Sequence, residues 1–216
     1  QKSFLLNVNN LDDTAPVLTS PPNVEVDENI SANAVVYTAF ADDSADVSNG
    51  ITFAISGTDA ASFSIDQNTG QVSILASPDA EIKDTYQIQI VATDDAGNAS
   101  TPLSVLIGIN DLDETAPIIT SPTNVAINEN IPANQVIYTA TADDSADISN
   151  GVTFAITGTD ADSFSIDSNT GDLSMLASPD AEIKDTYQIN IIATDNAGNS
   201  SNPHSVLINI NNLDDT

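Results

Sequence analysis

Acidic side chains recur along this chain in a fixed order. Glu28, the pair Asp42 and Asp43, then Asp79 and Glu81, then Asp94, lead to Asp111, Asp113 and Glu114 in the stretch D-L-D-E-T-A-P; Glu129, Asp143 and Asp144, Asp180 and Glu182, and Asp195 repeat the series. Carboxylates grouped without basic partners can do two kinds of chemistry. A pair can act as general acid and base, as in glycoside hydrolysis, and a larger group can hold a hard cation. The chain has 32 Asp and Glu against three Lys or Arg and a formal net charge of −29. Two unit charges about 5 Å apart at an effective dielectric near 20 repel by about 3 kcal/mol, so acids gathered in one place call for counterions. All-oxygen, carboxylate-rich sites built on loops are what calcium prefers. Catalysis has little other support. There is one histidine, His204, no cysteine, and no G-x-G-x-x-G or H-E-x-x-H motif. A carboxylate pair for glycoside hydrolysis stays open on sequence alone, but calcium explains the acids better and the chain reads as a non-enzyme.

The same charge excludes partners. Nucleic acid and anionic membranes are repelled, and cations are the natural ligands. Without cysteine there are neither disulfides nor thiolate metal sites. No apolar run approaches the 18 or so residues of a spanning helix and residue 1 begins no signal-peptide pattern, so a piece of a longer protein is expected.

The elements that must position these acids come from an internal repeat. T-A-P at Thr14 returns at Thr115, D-E-N-I at Asp27 returns as N-E-N-I at Asn128, and S-P-D-A-E-I-K-D-T-Y-Q-I recurs from Ser178. The period is about 101 residues, with roughly three-quarters of paired positions identical. The expected organisation is a tail strand of a preceding repeat at 1–11, repeats at 12–112 and 113–213, and the start of a next linker at 214–216. Within a repeat, the segments at Val24–Glu28, Val35–Ala39, Ile51–Ile55, Phe63, Gln71, Tyr86 and Leu103 are β-branched and mostly alternate apolar with polar residues. N-G at Asn49, N-T-G at Asn68 and A-G-N at Ala96 punctuate them. About seven strands per hundred residues read as an antiparallel β-sandwich, all-β throughout.

On a sandwich, strand ends collect at two poles. Glu28, Asp79 and Glu81 are expected at one pole of the first repeat, Asp42, Asp43 and Asp94 at the other. With Asp111, Asp113, Glu114 and the second repeat's Asp143, Asp144 and Asp195, about nine carboxylates are expected around one joint.

The ordered set V-D-E-N, A-D-D-S, F-S-I-D-x-N-T-G, D-A-E five residues before Tyr86, A-T-D before A-G-N, and D-L-D-E-T-A-P resembles a cadherin repeat, end to end in both units. The wording T-A-P-I-I-T-S and A-T-D-x-A-G-N also resembles the cadherin-like extender repeats of large bacterial surface adhesins. The resemblance implies two tandem seven-stranded Greek-key sandwiches in an elongated array, with three calcium ions between consecutive repeats. Glu28, Asp79, Glu81, Asp111 and Glu114 would hold the two ions nearer the first repeat. Asp113, Asp144 and Asp195, with carbonyls near Thr115 and Asn150, would hold the third. There are departures: where the family has D-x-D the chain has A-D-D-S, leaving open whether Asp143 substitutes, and the outer linkers begin with Asn10 and Asn212 where the central one has Asp111. Asp12, Asp42, Asp43 and Asp94 would form a partial site at the start; Glu129, Asp180, Glu182, Asp214 and Asp215 would supply one or two at the end.

The resemblance therefore implies a calcium-rigidified spacer of an extracellular, cell-surface and bacterial adhesion protein. Its partners would be calcium and neighbouring repeats, with a carbohydrate-binding or homophilic module as the alternative. Lys83 and Lys184 are read as local ion pairs with flanking acids in preference to an isopeptide bond, Asp59, Asp66 and Asp84 as solvating or turn residues, and His204 as an exposed edge residue. N-A-S at Asn98 and N-S-S at Asn199 read as turns in preference to glycosylation acceptors.

Overall fold

The computed structural model describes residues 5–45, 50–148 and 151–214. The chain divides into two compact units, Gln1–Leu112 and Asp113–Thr216. The first carries β1 (Val17–Leu18), β2 (Asn23–Asp27), β3 (Val35–Thr38), β4 (Ala41–Asp42), β5 (Ile51–Ser56), β6 (Phe63–Ile65), β7 (Gln71–Ile74), β8 (Thr85–Asp94) and β9 (Leu103–Asn110). The second repeats them as β10 (Ile118–Ile119), β11 (Asn124–Asn128), β12 (Val136–Thr139), β13 (Ala142–Asp143), β14 (Val152–Thr157), β15 (Phe164–Ile166), β16 (Asp172–Met175), β17 (Thr186–Asp195) and β18 (His204–Asn211).

Each unit is a two-sheet Greek-key sandwich. In the first, a four-stranded sheet of order β2-β9-β8-β5 faces a three-stranded sheet of order β3-β7-β6. The seven expected strands are all present. One pairing differs from an all-antiparallel reading: β2 runs parallel to β9, with Asn23 opposite Leu106 and Asp27 opposite Asn110. β11 and β18 repeat this. The structure also adds the two-residue strands β1 and β4, which pair antiparallel; prolines on both sides, Pro16 and Pro21, keep β1 short.

Period-two alternation makes the core. Along β8, Ile88, Ile90 and Ala92 are fully buried while Gln87 and Gln89 face outward, and Val105 and Ile107 of β9 meet them. Each fully buried branched side chain contributes about 1.5–3 kcal/mol. The second unit keeps the pattern with changed shapes, Leu173 for Val72 and Met175 for Ile74. A 3-10 turn at Ala60–Ser62 leads into β6.

Register sets the two poles. Thr85 pairs with Gly108 at one end of β8, and Asp94 pairs with Ile51 at the other. The chain therefore presents Asp27, Glu28 and Asn110 at the first pole and Asp94 at the opposite one. Between β6 and β7, Asp66 Oδ1 accepts from the N–H groups of Asn68 and Thr69 at 2.9 and 3.0 Å, and Gly70 completes the turn at φ 71°. The N-G turns at Asn49 and Asn150 lie outside the described residues.

A Cβ on Gly70 would lie 2.4 Å from the carbonyl oxygen of Ala39, whereas one on Gly97, also at positive φ, would meet nothing within 4 Å. Both substitutions to alanine incur the left-handed backbone cost of about 1–3 kcal/mol. Gly70→Ala should therefore lower the urea midpoint of the first unit clearly more than Gly97→Ala does; equal shifts would show that the turn relaxes away from Ala39.

Candidate metal centres

Among the described residues, four groups of carboxylates, two per unit, each bring three oxygens within 4.8 Å of one another. In the first unit these are Glu28, Glu81 and Asp111, and Asp12, Asp43 and Asp94; in the second they are Asp113, Asp144 and Asp195, and Glu129, Asp180 and Glu182.

The first group grows out of β2. Val24 and Val26 turn inward, so the same parity carries Glu28 to the interior just past the strand, where it is 2% exposed. A buried carboxylate needs donors. Its Oε2 accepts from the N–H of Ala80 at 2.8 Å and its Oε1 from that of Leu112 at 2.7 Å. Asn29, at φ 59°, turns the chain away and donates to the carbonyl of Pro78 at 3.0 Å; asparagine tolerates this left-handed conformation better than most residues. Glu28 thus fastens the D-A-E loop to the interunit segment, and Glu81 and Asp111 arrive beside it. Glu81 is pushed up to about 7: a hydrogen bond from its own backbone N–H works downward, but the shared hydrogen bond with Asp111, desolvation and the charges of Glu28 and Asp111 outweigh it. Glu129 reproduces the arrangement, accepting from Ala181 at 2.8 Å and from Leu213 at 2.5 Å. Those backbone donors hold it below the usual carboxylate range. Asn212 stands where Asp111 stands and donates to Glu182 Oε1 at 2.6 Å, and the third carboxylate of that group is Asp180.

The opposite pole is ordered by an asparagine. Asp94 is 5% exposed, and its Oδ1 and Oδ2 accept from the backbone and side-chain N–H groups of Asn98, both at 2.8 Å. Burial works to raise Asp94, yet these hydrogen bonds leave it lowered. The Asn98 amide also donates to the Asp12 carbonyl at 3.2 Å. In the second unit Asn199 donates to Asp195 Oδ2 and to the Asp113 carbonyl, each at 2.9 Å. Asp113 is raised by desolvation and by the charges of Asp195, Asp144 and Asp147.

Several sequence candidates stand elsewhere. Asp143 is outside the group that Asp144 joins: it is the last residue of β13, and its Oδ1 turns to accept from the Ser145 N–H at 3.1 Å. Asp42 does the same with Ser44 at 3.0 Å. Asp79 accepts from the Ile82 N–H at 3.0 Å and lies outside the group containing Glu81. The Glu114 N–H donates to Asp147 at 3.3 Å, and that of Thr115 donates to the Asp113 carboxylate. Asn150 and Asp215 lie outside the described residues. Asp147, Asn98 and Asn199 are contributors that sequence reasoning missed; the recurrence of A-G-N right after A-T-D was the available signal for the asparagines.

Three side readings are corrected. Lys83 pairs with the distant Asp59 at 2.5 Å rather than with its flanking acids, so Asp59 is not merely solvating. Lys184 pairs likewise with Asp160. His204 opens β18 half-buried, and its Nε2 is enclosed, because strand pairing with Ile191 draws it in.

A cadherin domain model matches residues 22–110 and again 123–211. The chain belongs to the cadherin family. It is 32% identical to human protocadherin Fat 4 over 221 residues, covering 97% of this chain and 4% of that protein. It is 29% identical to mouse cadherin-23 over 199 residues, covering 88% of this chain and 6% of that one. The fold matches human protocadherin-24 EC1-2 with a TM-score of 0.73 at 22% identity, over 93% of this chain and 99% of that structure. Mouse cadherin-23 EC22-24 matches with a TM-score of 0.63 at 25% identity, over 95% of this chain and 67% of that structure. The chain thus spans a small fraction of the curated relatives it matches. Cadherin domains as a class belong to adhesion proteins and bind calcium. The residues here fit such an ion: every donor is a hard oxygen, and Asp43 Oδ2 and Asp113 Oδ2 are buried without a hydrogen-bond partner.

Two outcomes follow for calcium-free protein. Glu28→Ala leaves the N–H groups of Ala80 and Leu112 without their acceptor and should cost about 2 kcal/mol or more in urea unfolding, whereas Asp111→Ala relieves repulsion and should cost nothing. Equal losses would show that Glu28 acts by charge alone. Glu81 holds its proton more tightly folded than unfolded, so stability of the metal-free first unit should fall as pH rises from about 4.5 to about 7. Thermal melts in chelator across that range should show this slope, and Glu81→Gln should remove it.

Proposed function

We propose that this chain is a calcium-rigidified cadherin repeat module, a spacer in the extracellular stalk of a cell-surface adhesion protein. The observation that carries the reading is the build of the four carboxylate groups. Each contains acids drawn close despite their mutual repulsion, and each is anchored by at least one acid held through hydrogen bonds or burial. Glu28, Glu81 and Asp111 with Asp79 and Glu114 are the proposed ligands on one side of the interunit segment; Asp113, Asp144 and Asp195, with carbonyls near Thr115 and Asn150, are those on the other. Asp12, Asp43 and Asp94, and Glu129, Asp180 and Glu182, are proposed for the outer groups. Asp143 is left out of this assignment by its turn.

The mechanism follows from chain connectivity. Asp111 and Asp113 are separated by Leu112 alone, so a single short segment donates to a group in each unit. The Leu112 N–H is already held by Glu28, and the Asp113 carbonyl by Asn199. Ions would supply the counter-charge the groups lack and immobilise the carboxylates on both sides of Leu112, removing the segment's freedom to bend. Extracellular calcium modules have affinities of about 0.1–1 mM; at ten times Kd each occupied site adds about 1.4 kcal/mol of stability. The module would stiffen outside the cell and soften where calcium is scarce. A bacterial adhesin as the parent protein is part of the proposal on the wording T-A-P-I-I-T-S and A-T-D-x-A-G-N, although the relatives described above are mammalian.

Small-angle scattering in excess EDTA and then in millimolar calcium tests the reading. Calcium should increase the maximum dimension and remove interunit flexibility, and Glu114→Ala should blunt that response while leaving each sandwich folded. Superimposable curves, with no calcium bound in calorimetry, would reduce the acids to surface solvation.

A further inference from the structure

Two of the three basic residues in this acidic chain, Lys83 and Lys184, occupy the same position in both units. Neither turns its charge toward the neighbouring carboxylate group, where electrostatics alone would send it. Lys83 Nζ contacts Asp59 Oδ1 at 2.5 Å and sits 4.7 Å from the centre of the Tyr86 ring. Tyr86 in turn packs edge-on against Phe63 of the core, centroids 5.4 Å apart. The other oxygen of Asp59 accepts from the Gln87 N–H of β8 at 2.7 Å, so the acid that receives the lysine is itself fixed to the sheet. At its own backbone, Lys83 donates to the Asp79 carbonyl at 2.9 Å, closing the loop whose Ala80 N–H grips Glu28. Lys184, Asp160, Tyr187 and Gln188 repeat the arrangement.

We propose that Lys83 is a positioning residue for the calcium group of Glu28, Glu81 and Asp111, and Lys184 for that of Glu129, Asp180 and Glu182. Two side chains tether the loop 79–84: Glu28 holds its start, and the Lys83–Asp59 latch, seated on Tyr86, holds the stretch just before Asp84, whose carbonyl accepts from the Ile109 N–H of β9 at 2.8 Å. Glu81 lies between them. Losing the latch leaves only backbone pairing at Asp84 to hold that side of the loop, and residues 81–83 between Glu28's grip and β8 loosen, so that Glu81 is presented to its partners less firmly. The inference rests on the calcium reading for its affinity arm but not for its loop arm.

The sign of one substitution separates positioning from charge. Removing a cation near a calcium site strengthens calcium binding by Coulomb's law, and the unpaired Asp59 would strengthen it further. Loss of positioning weakens it; supporting interactions of this kind are typically worth about tenfold or more in metal affinity. Calcium chloride titrations of the whole chain, followed at individual amides by NMR, should show Lys83→Met weakening the affinity reported by Ala80 and Leu112 about tenfold. The affinity reported by Asn98, at the opposite pole, should not move, and Lys83→Arg should restore binding. Unchanged or tighter binding at Ala80 and Leu112 overturns the proposal. In EDTA, hydrogen exchange at Ala80 and Ile82 should accelerate in Lys83→Met with Asn98 unaffected, and unaltered exchange also overturns it. If the wild type takes up no calcium at these amides, the calcium reading fails on its own and the exchange result alone decides the latch. Should Lys83→Met lose its folded spectrum, Lys83→Gln, which keeps a polar side chain without the charge, serves in both arms.

Discussion

Everything at the first pole depends on one buried carboxylate. Glu28 is enclosed in the sandwich and spends its two oxygens on the N–H groups of Ala80 and Leu112, residues 52 and 84 positions away in the chain. A side chain so placed converts strand parity into site geometry. It tells the D-A-E loop and the segment leaving β9 where to lie, and only then do Glu81 and Asp111 come within reach of a common ion. The opposite pole uses a different device for the same end. There Asn98 ties Asp94 to the carbonyl of Asp12, and Asn199 ties Asp195 to that of Asp113. Neutral amides hold the chain in place while leaving the carboxylate charge to attract a cation.

The architecture is a compromise between folding and binding. A net charge of −29 works against compaction, and acids drawn together repel most when no cation is present. The hydrophobic sandwich, with its isoleucine-lined centre, carries that load. Asn212 lowers it at the far end, donating a hydrogen bond to Glu182 where Asp111 repels Glu81. With Asp79 counted beside Glu28, Glu81 and Asp111, and Asn212 beside Glu129, Asp180 and Glu182, the two nearly identical poles differ in charge through a single side chain.

Strands, repeat and acid order were legible in the sequence because they are written in period-two alternation and in motifs that recur at a fixed spacing. Residues whose roles depend on long-range pairing were not. Asp59 and Lys83 are 24 positions apart and meet only because the 3-10 turn and β8 are neighbours. Asn98 looked like a turn residue since its amide reaches a carbonyl 86 positions away. His204 looked exposed beside a proline, yet strand pairing draws it inward. That Asp144 rather than Asp143 gathers with Asp113 and Asp195 was likewise invisible to motif matching, since it depends on how the chain leaves the two-residue strand that ends at Asp143. The parallel pairing of β2 with β9 left no local trace, because alternation does not record direction.

That parallel pairing has a mechanical meaning. Once the two-residue pairing of β1 with β4 has given way, tension along the chain reaches a unit near Asn23 and leaves near Asn110, pulling β2 and β9 in opposite directions along their common axis. Five residue pairs from Asn23–Leu106 to Asp27–Asn110 then share the load side by side, so their hydrogen bonds must break together. An antiparallel pairing of the same strands would put both pulling points at one end, and the bonds would open one after another like a zip. Under force, survival is governed by the unfolding rate rather than by equilibrium stability. A repeat wired in this way resists rupture more strongly than its marginal, highly charged fold would suggest.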